Sequence, residues 1–417
     1  YANVDPRMAT FFDAVTTPRI RLDEIDWGGA GVNGIPPLDH PRTVSATEAK
    51  FMGDKNIVFG VVIGGEARAY PKRILAWHEM ALDTLGGVDL AVVYCTLCGT
   101  VIPYETVAAD RSFTLGTSGL LYRSNKLMFD LETKSLWSTL EGRPVVGPLA
   151  SSEVVLKHRP VVTTTWKEWR TTHPGTTVLS LETGHQRDYD EGVAYRGYFS
   201  HDDLMFEVTS EDRRLKRKDE VVTFFAGDDR KLVPVALDSA FLKKNPIFQF
   251  KAAQTVWVAL TTAGGANRIY RADETQFVRA TDNEVFDDEG RAWKILEDGL
   301  HVHARARRSL ALLHLDHHVG HGPSLGEPAE LAQEVFLERS PGPGRPRRAG
   351  PRPAPSRGPA AHHGPPVPAR AVGRTAAARR HRPGAGHGAE PDHLRRTGFG
   401  AGRVDPGPDH QPAGGVA

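Results

Sequence analysis

One pattern of residues occurs twice in this chain, and it limits the possible folds more than anything else in the sequence. Residues 58–71 read Val-Phe-Gly-Val-Val-Ile-Gly-Gly-Glu-Ala-Arg-Ala-Tyr-Pro, and residues 221–234 read Val-Val-Thr-Phe-Phe-Ala-Gly-Asp-Asp-Arg-Lys-Leu-Val-Pro. Each gives an apolar strand, a two-residue turn containing glycine, a charged strand and then proline, which is the signal of a hairpin. Proline next opens a short helix, because its fixed φ and missing N–H are tolerated in a first turn. The pattern predicts one helix over about residues 72–82 and a second starting near Val235. Both copies go on to an apolar strand, residues 88–94 or 255–260, then a turn of small residues and a strand ending in Tyr104 or Tyr270. A strand around Phe113 or Phe277 follows, and each copy closes on an acidic turn before tryptophan, Asp130 to Trp137 and Asp287 to Trp293. The first copy continues with a helix over 165–171 and a strand at 176–180.

Short strands with glycine turns and few helices predict an α+β fold built as two tandem repeats of antiparallel sheet with short helices. The first repeat is placed at 50–180, a linker at 181–214, and a second, degenerate and truncated repeat at 215–303. Beyond this the composition changes. No lysine follows Lys294, no isoleucine follows Ile295 and no tyrosine follows Tyr270, while residues 341–417 hold 15 of the 30 prolines. Such a segment buries too little apolar surface to offset its ordering entropy, so 304–417 is expected to be a disordered C-terminal tail rich in Arg, Pro and Gly. It is either a Pro/Arg-rich arm for an anionic partner or the out-of-frame translation of a GC-rich gene. That the break falls inside a repeat favours the second.

The net charge of +1 gives no global field for nucleic acid or a membrane surface. No apolar run approaches the roughly 18 residues a spanning helix needs, and the partner stays unknown. The chain starts at Tyr1 rather than Met, which leaves open an upstream signal peptide or anchor.

The two cysteines stand three apart, in Cys95-Thr96-Leu97-Cys98. So short a loop gains little as a staple, and a CxxC is more often a redox or metal motif. The pair follows a strand and flanks a turn, which aims both sulfurs at one point, as in half of a zinc knuckle. His78 and Glu79 are placed on the preceding helix and Met128 on a later strand, before Asp130. Two thiolates, one imidazole and a thioether make a soft ligand set that selects copper or zinc. The expected metal site is Cys95, Cys98, His78 and Met128, with Glu79, Tyr94 and Asp130 around it. The second copy lacks both cysteines and carries Phe241 where the helix has His78, as a site grafted onto one copy of a shared scaffold would.

Plainer readings compete. His78 can be a helix histidine bonded to a core carbonyl, Met128 core packing, and Glu79 a solvated or capping carboxylate. Gly116-Thr117-Ser118-Gly119 lacks the ending of a phosphate loop and reads as a turn. Ser118 and Ser124 lack the GxSxG elbow of a nucleophile, and the acidic turns do not match a calcium loop. Trp166 and Trp169 read as core. Arg213, Arg214, Lys216, Arg217 and Lys218 read as a solvated linker, and Asp188, Tyr189 and residues 195–198 as the wall of a groove between repeats.

The stretch Gly65-Glu66-Ala67-Arg68-Ala69-Tyr70-Pro71, then Trp77-His78-Glu79, then Tyr94-Cys95-Thr96-Leu97-Cys98-Gly99-Thr100, resembles domain-of-unknown-function family 3179. So do Ser118-Gly119-Leu120-Leu121-Tyr122-Arg123-Ser124, Met128-Phe129-Asp130 and Ser135-Leu136-Trp137-Ser138. The likeness covers roughly residues 35–300, with Arg187-Asp188-Tyr189 in the linker. The family commonly has proline where this chain has Thr96, and Asn where Leu82 precedes Asp83. The resemblance implies a bacterial, often exported protein and supplies no activity. Three functions stand open: a copper- or zinc-binding protein, whether carrier or metalloenzyme; a thiol–disulfide oxidoreductase using Cys95 and Cys98; and a non-catalytic binding module with a groove between repeats. Against the second, a redox CxxC usually opens a helix, whereas Gly99, Val101 and Pro103 here continue a strand.

Overall fold

Strand Ile57–Ile63 folds back on Glu66–Pro71 across Gly64 and Gly65, whose φ values of 59° and 84° suit residues without a Cβ. The structure, a computed structural model, describes residues 2–13, 17–208, 214–228, 231–302, 309–311 and 318–321. All of these belong to one unit, residues 1–342; the other, 343–417, lies outside the described residues. Most of the tail expected at 304–417 therefore lies outside them as well, although strands Ser309–Ala311 and His318–His321 fall within it.

The described residues are mostly β-sheet, in several antiparallel sheets with a few short helices. In the first half the middle sheet is a meander of Met80–Leu85, Val88–Cys95 and Thr100–Glu105, joined in parallel by Leu38–Asp39. One of its faces packs on the first hairpin and helix Lys72–His78 through Phe59, Tyr70, Leu75, Val92 and Tyr94. The other packs on a five-stranded sheet through Met80, Val93, Ile102, Met128 and Trp137. Successive residues of a strand point to opposite faces, so a sheet covered on both sides is apolar at nearly every position. That is why Leu90-Ala91-Val92-Val93 shows no alternation. Arg68 and Tyr70 converge on Asp83 at 2.7 and 2.8 Å, tying the hairpin to the middle sheet by a buried ion pair.

The first helix ends at His78, four residues short of the expected end. Glu79 turns left-handed at φ 55°, and Met80 opens a strand. Pairing of 80–85 with 88–93 overrides the helix pattern there. In the second half Gly227 pairs with Leu232 and Asp228 with Lys231, so Gly227 stays in the strand. Pro234 lies inside the edge strand opposite Phe225, where a missing N–H is tolerated. The second helix is Ser239–Lys244, opened by Asp238 accepting from the Ala240 N–H. Phe241 is thus third in its helix while His78 is last in its own, and the two do not correspond.

Element starts in the two halves keep one spacing. Lys72 and Ser239, Met80 and Ile247, Val88 and Thr255, and Thr100 and Asn267 are each 167 residues apart. Thr262 and Gly265 stand at that spacing from Cys95 and Cys98. In both halves a late strand returns antiparallel to the first: Val162–Thr165 to residues 57–60, and His318–His321 to residues 220–223. Both acidic turns are closed alike: Trp137 Nε1 donates to Asp130 and Trp293 Nε1 to Asp287, each at 2.8 Å.

One other expectation shifts and one holds. Residues 116–119 are a bulge within strand Leu115–Tyr122 rather than a turn. Trp166 and Trp169 are buried in the core, on helix Trp166–Thr172 capped by Thr165.

Candidate functional site

Cys95 is the last residue of the central strand and faces Thr100 across the hairpin. The backbone turns tightly between them: Gly99 N–H donates to the Cys95 carbonyl at 2.8 Å, with Gly99 at φ 69°. This brings the two Cα atoms to 5.2 Å, and the sulfurs are joined in a disulfide. Thr96 is buried and donates to the Ala76 carbonyl at 3.3 Å, so the turn is anchored on the first helix. The disulfide is 2% exposed at Cys95 and 0% at Cys98, packed against Leu121 and Phe206.

Beside it sits a buried ion pair. A two-residue turn at Arg123 and Ser124, both at positive φ, sends the Asn125–Asp130 strand back toward the cysteines. Asn125 Nδ2 donates to Thr100 Oγ1 at 3.1 Å. Lys126 Nζ donates to the Glu79 carbonyl at 3.0 Å and pairs with Glu79 Oε2 at 3.2 Å. The same Glu79 carbonyl accepts the Tyr94 N–H at 2.9 Å. Burial pushes the Lys126 ammonium below its ordinary range, and Glu79 opposes that. The Tyr94 ring lies on Phe59, and its buried hydroxyl has no hydrogen-bond partner among the described residues. Burial pushes the Tyr94 phenol up, and the nearby Glu79 and Glu220 carboxylates add to it.

His78 is fully buried with both ring nitrogens engaged. A carbonyl only accepts, so Nδ1–H donates to Pro36 O at 2.9 Å. Nε2 then accepts from the Tyr189 hydroxyl at 2.6 Å, and Thr183 donates to Tyr189 at 2.7 Å. Burial lowers the imidazole to about 4, with Pro36 acting against it and His185 and Arg187 with it. Among the described residues no group of three or more His, Cys, Asp or Glu side chains is arranged to hold a metal ion.

The family model described as "Protein of unknown function (DUF3179)" matches residues 32–319. The chain belongs to DUF3179. No curated protein and no solved structure matches it. Of the residues the sequence singled out in this DUF3179 chain, the structure brings Cys95 and Cys98 together, with Glu79 and Tyr94 close by in the backbone. Met128 lies in the core between Thr117 and Trp137, in a cluster that does not include the cysteines. Asp130 is occupied by its own turn, accepting from Thr133 and Trp137. Ser118 donates to the Leu127 carbonyl at 2.5 Å. No helix among the described residues of the DUF3179 chain is long and apolar enough to cross a membrane.

Sequence reasoning missed Asn125 and Lys126, although they directly follow the quoted Tyr122-Arg123-Ser124. A lysine directly before the apolar run Leu127-Met128-Phe129 was the available signal. The 188–198 segment, expected between repeats, instead lies on the cysteine side. Trp77 donates to the Asp188 carbonyl at 2.7 Å, and the Tyr198 hydroxyl donates to the Leu97 carbonyl, inside the CxxC, at 2.8 Å. Lys218 is no solvated linker residue, since it donates to the carbonyls of Tyr198 and His201 at 2.6 Å each. Arg213 lies outside the described residues.

Proposed function

We propose that this DUF3179 protein is a thiol–disulfide exchange protein, with Cys95 and Cys98 as its redox pair. The observation that carries this reading is the pairing of the two sulfurs with each other, while both nitrogens of His78 are held by Pro36 and Tyr189. The chemistry balances with a dithiol as the second reactant. Its thiolate attacks one sulfur, a mixed disulfide forms, and the other cysteine leaves as a thiolate. The reductant's second thiol then closes its own disulfide, and two electrons and two protons end on Cys95 and Cys98. Lys126 pairs in register with Leu121, which packs on the cysteines, and its ammonium is already matched by the Glu79 carboxylate at 3.2 Å. Copper or zinc on the reduced pair is the competing reading. It lacks a third ligand so long as His78 keeps its two bonds, because a metal on Nε2 must displace Tyr189.

The test is a thiol count on protein purified without added metal, together with metal analysis of the same sample. We expect no thiols as isolated, two after reduction, and none after reoxidation with a disulfide reagent, with the fold unchanged throughout. Stoichiometric zinc or copper lost in Cys95→Ser would overturn the redox reading in favour of a metal site.

The constant spacing of elements supports a duplication in which the second copy, with Thr262 and Gly265 at the cysteine positions, serves as scaffold. A disulfide that forms in an oxidising compartment, together with the resemblance of the sequence, supports an exported protein.

A further inference from the structure

A redox pair that is 2% and 0% exposed cannot meet an attacking thiolate in the arrangement described. In-line attack needs one sulfur open along the S–S axis, so some cover must move for any exchange to occur. Two kinds of cover are present. Leu121 belongs to the Leu115–Tyr122 strand, hydrogen-bonded on both sides, and moves only if the sheet comes apart. Phe206 belongs to a stretch without regular structure, residues 200–208, and is only partly buried against the sulfurs.

Among the described residues, that stretch is held at few points. Helix Arg196–Phe199 has four residues and leads into it. The Tyr198 hydroxyl donates to the Leu97 carbonyl, which lies between the two cysteines. Lys218 reaches back over 17 to 20 residues of chain. Its ammonium donates to the carbonyls of Tyr198 and His201 and lies 3.7 Å from the centre of the Tyr198 ring. Met205, next to Phe206, is 66% exposed, the most open of the large apolar side chains among the described residues. Beyond the Phe206 contact, the residues from Asp202 to Glu207 are mostly exposed. Among the described residues, the apolar cover on the strap side is thus one aromatic side chain, and the strap is fastened by Tyr198 on the motif, by Lys218, and by Lys72, whose ammonium lies 5.4 Å from the Phe199 ring centre. Few buried contacts and few backbone hydrogen bonds make a segment of low local stability, which opens without global unfolding.

We propose that residues 196–208 form a strap that gates the Cys95–Cys98 disulfide, with Lys218 as its latch and Phe206 as the plug over the sulfurs. This rests on the redox reading of the same pair. Closed, the strap keeps small thiols off the disulfide. The physiological reductant or oxidant is then a protein thiol or disulfide that displaces Phe206, and not a small free thiol. Met205, exposed on the strap, lies where such a partner first makes contact.

The test is kinetic and uses the full oxidised chain. Reduction by dithiothreitol is followed by trapping new thiols, for the wild type, Lys218→Met, Tyr198→Phe and Phe206→Ala, and for wild type unfolded in urea as the open limit. We expect the folded wild type to react far more slowly than the urea-unfolded chain. Lys218→Met and Phe206→Ala should speed reduction by about tenfold or more, the effect of losing one charge-assisted bond or its packing equivalent. Tyr198→Phe should do the same to a smaller degree. The equilibrium potential of the pair should stay within a factor of about two in the exchange constant, because a gate changes rates and not end states. Folded wild type reacting as fast as the unfolded chain would sink the gate, as would rates for both Lys218→Met and Phe206→Ala within twofold of wild type. Phe206→Ala acts on the cover directly, so misfolding of Lys218→Met does not remove the test. A disulfide that no variant allows to be reduced in the folded state would instead overturn the redox reading itself.

Discussion

Lys126 is a charged residue with 4% of its surface exposed in a strand that is otherwise core, and its partner Glu79 is 7% exposed. Two charges taken out of water recover little from each other, but removing one leaves the other uncompensated at a cost of about 3–5 kcal/mol. Lys126→Met and Glu79→Gln are each expected to lower stability by about that much, and the double variant Lys126→Met/Glu79→Gln to lose much less than the sum. A double-mutant cycle by urea denaturation measures it, and simple additivity would show the pair to be uncoupled. His78 gives a pH effect of definite sign. Its imidazole falls from 6.5 to about 4 on folding, so the unfolded chain binds the proton more tightly. The stability that neutral His78 contributes is complete above pH 6.5 and lost as pH falls from 6.5 toward 4, by up to about 3 kcal/mol. His78→Gln should flatten this part of the curve of urea midpoint against pH. An unchanged slope would show that His78 does not carry the proton linkage. At this scale the sequence was half legible. CxxC spacing alone places two sulfurs within a turn of each other, so Cys95 and Cys98 could be paired by reading. What His78 touches depends on Pro36 and Tyr189, 42 and 111 residues away, and no local pattern encodes such a meeting.

Elements were read best where a tight local rule governs them and worst where two rules compete. The Gly64-Gly65 hairpin and the Asp130 and Asp287 turns follow from short-range chemistry and stand where expected. The first helix was read too long because residues 79–82 fit a helical face as well as a strand. The pairing of Met80 with Val93, thirteen residues on, decides between them. Pro234 misled the register in a similar way, because proline marks a helix start or an edge strand equally well. A second feature invisible to pattern is the close approach of Gly60 and Trp169. A Cβ on Gly60 would fall inside the indole ring, which is fully buried and fixed by Nε1 donating to Thr176 at 2.8 Å. Gly60→Ala must therefore push helix Trp166–Thr172 off the sheet, at the cost of overpacking, about 1–3 kcal/mol or more. Thermal denaturation tests this, and a variant as stable as wild type would mean that the helix shifts freely. Gly65, whose added Cβ meets nothing, is the control for space, although its positive φ still penalises alanine.

At the scale of the whole molecule, the two halves meet through charge buried in the core. Arg268, from the Asn267–Arg271 strand, is 4% exposed and pairs with Glu297 at 2.8 Å and Glu168 at 3.8 Å. Glu168 lies on the Trp166–Thr172 helix of the first half, and Thr262 of the second half donates to it at 2.9 Å. His173, just past that helix, approaches Glu297 at 3.4 Å. Burial alone would raise the Glu297 carboxyl, but the Arg268 guanidinium, joined by His173, holds it down to about 2 against an ordinary 4.5. A carboxyl depressed on folding contributes stability that is complete above pH 4.5 and lost as pH falls from 4.5 toward 2. Acid should therefore weaken the contact between the halves in that window, below the window set by His78. Arg268→Met would remove the guanidinium from two largely buried carboxylates and is expected to cost up to about 3–5 kcal/mol at neutral pH. It should also move the acid transition upward, because Glu297 then takes up its proton at higher pH. Arg268→Met/Glu297→Met should recover much of the loss and remove the low-pH step. Unfolding followed by tryptophan fluorescence between pH 2 and 7 distinguishes these outcomes. If Arg268→Met unfolds in acid at the same pH as wild type, this cluster does not hold the halves together.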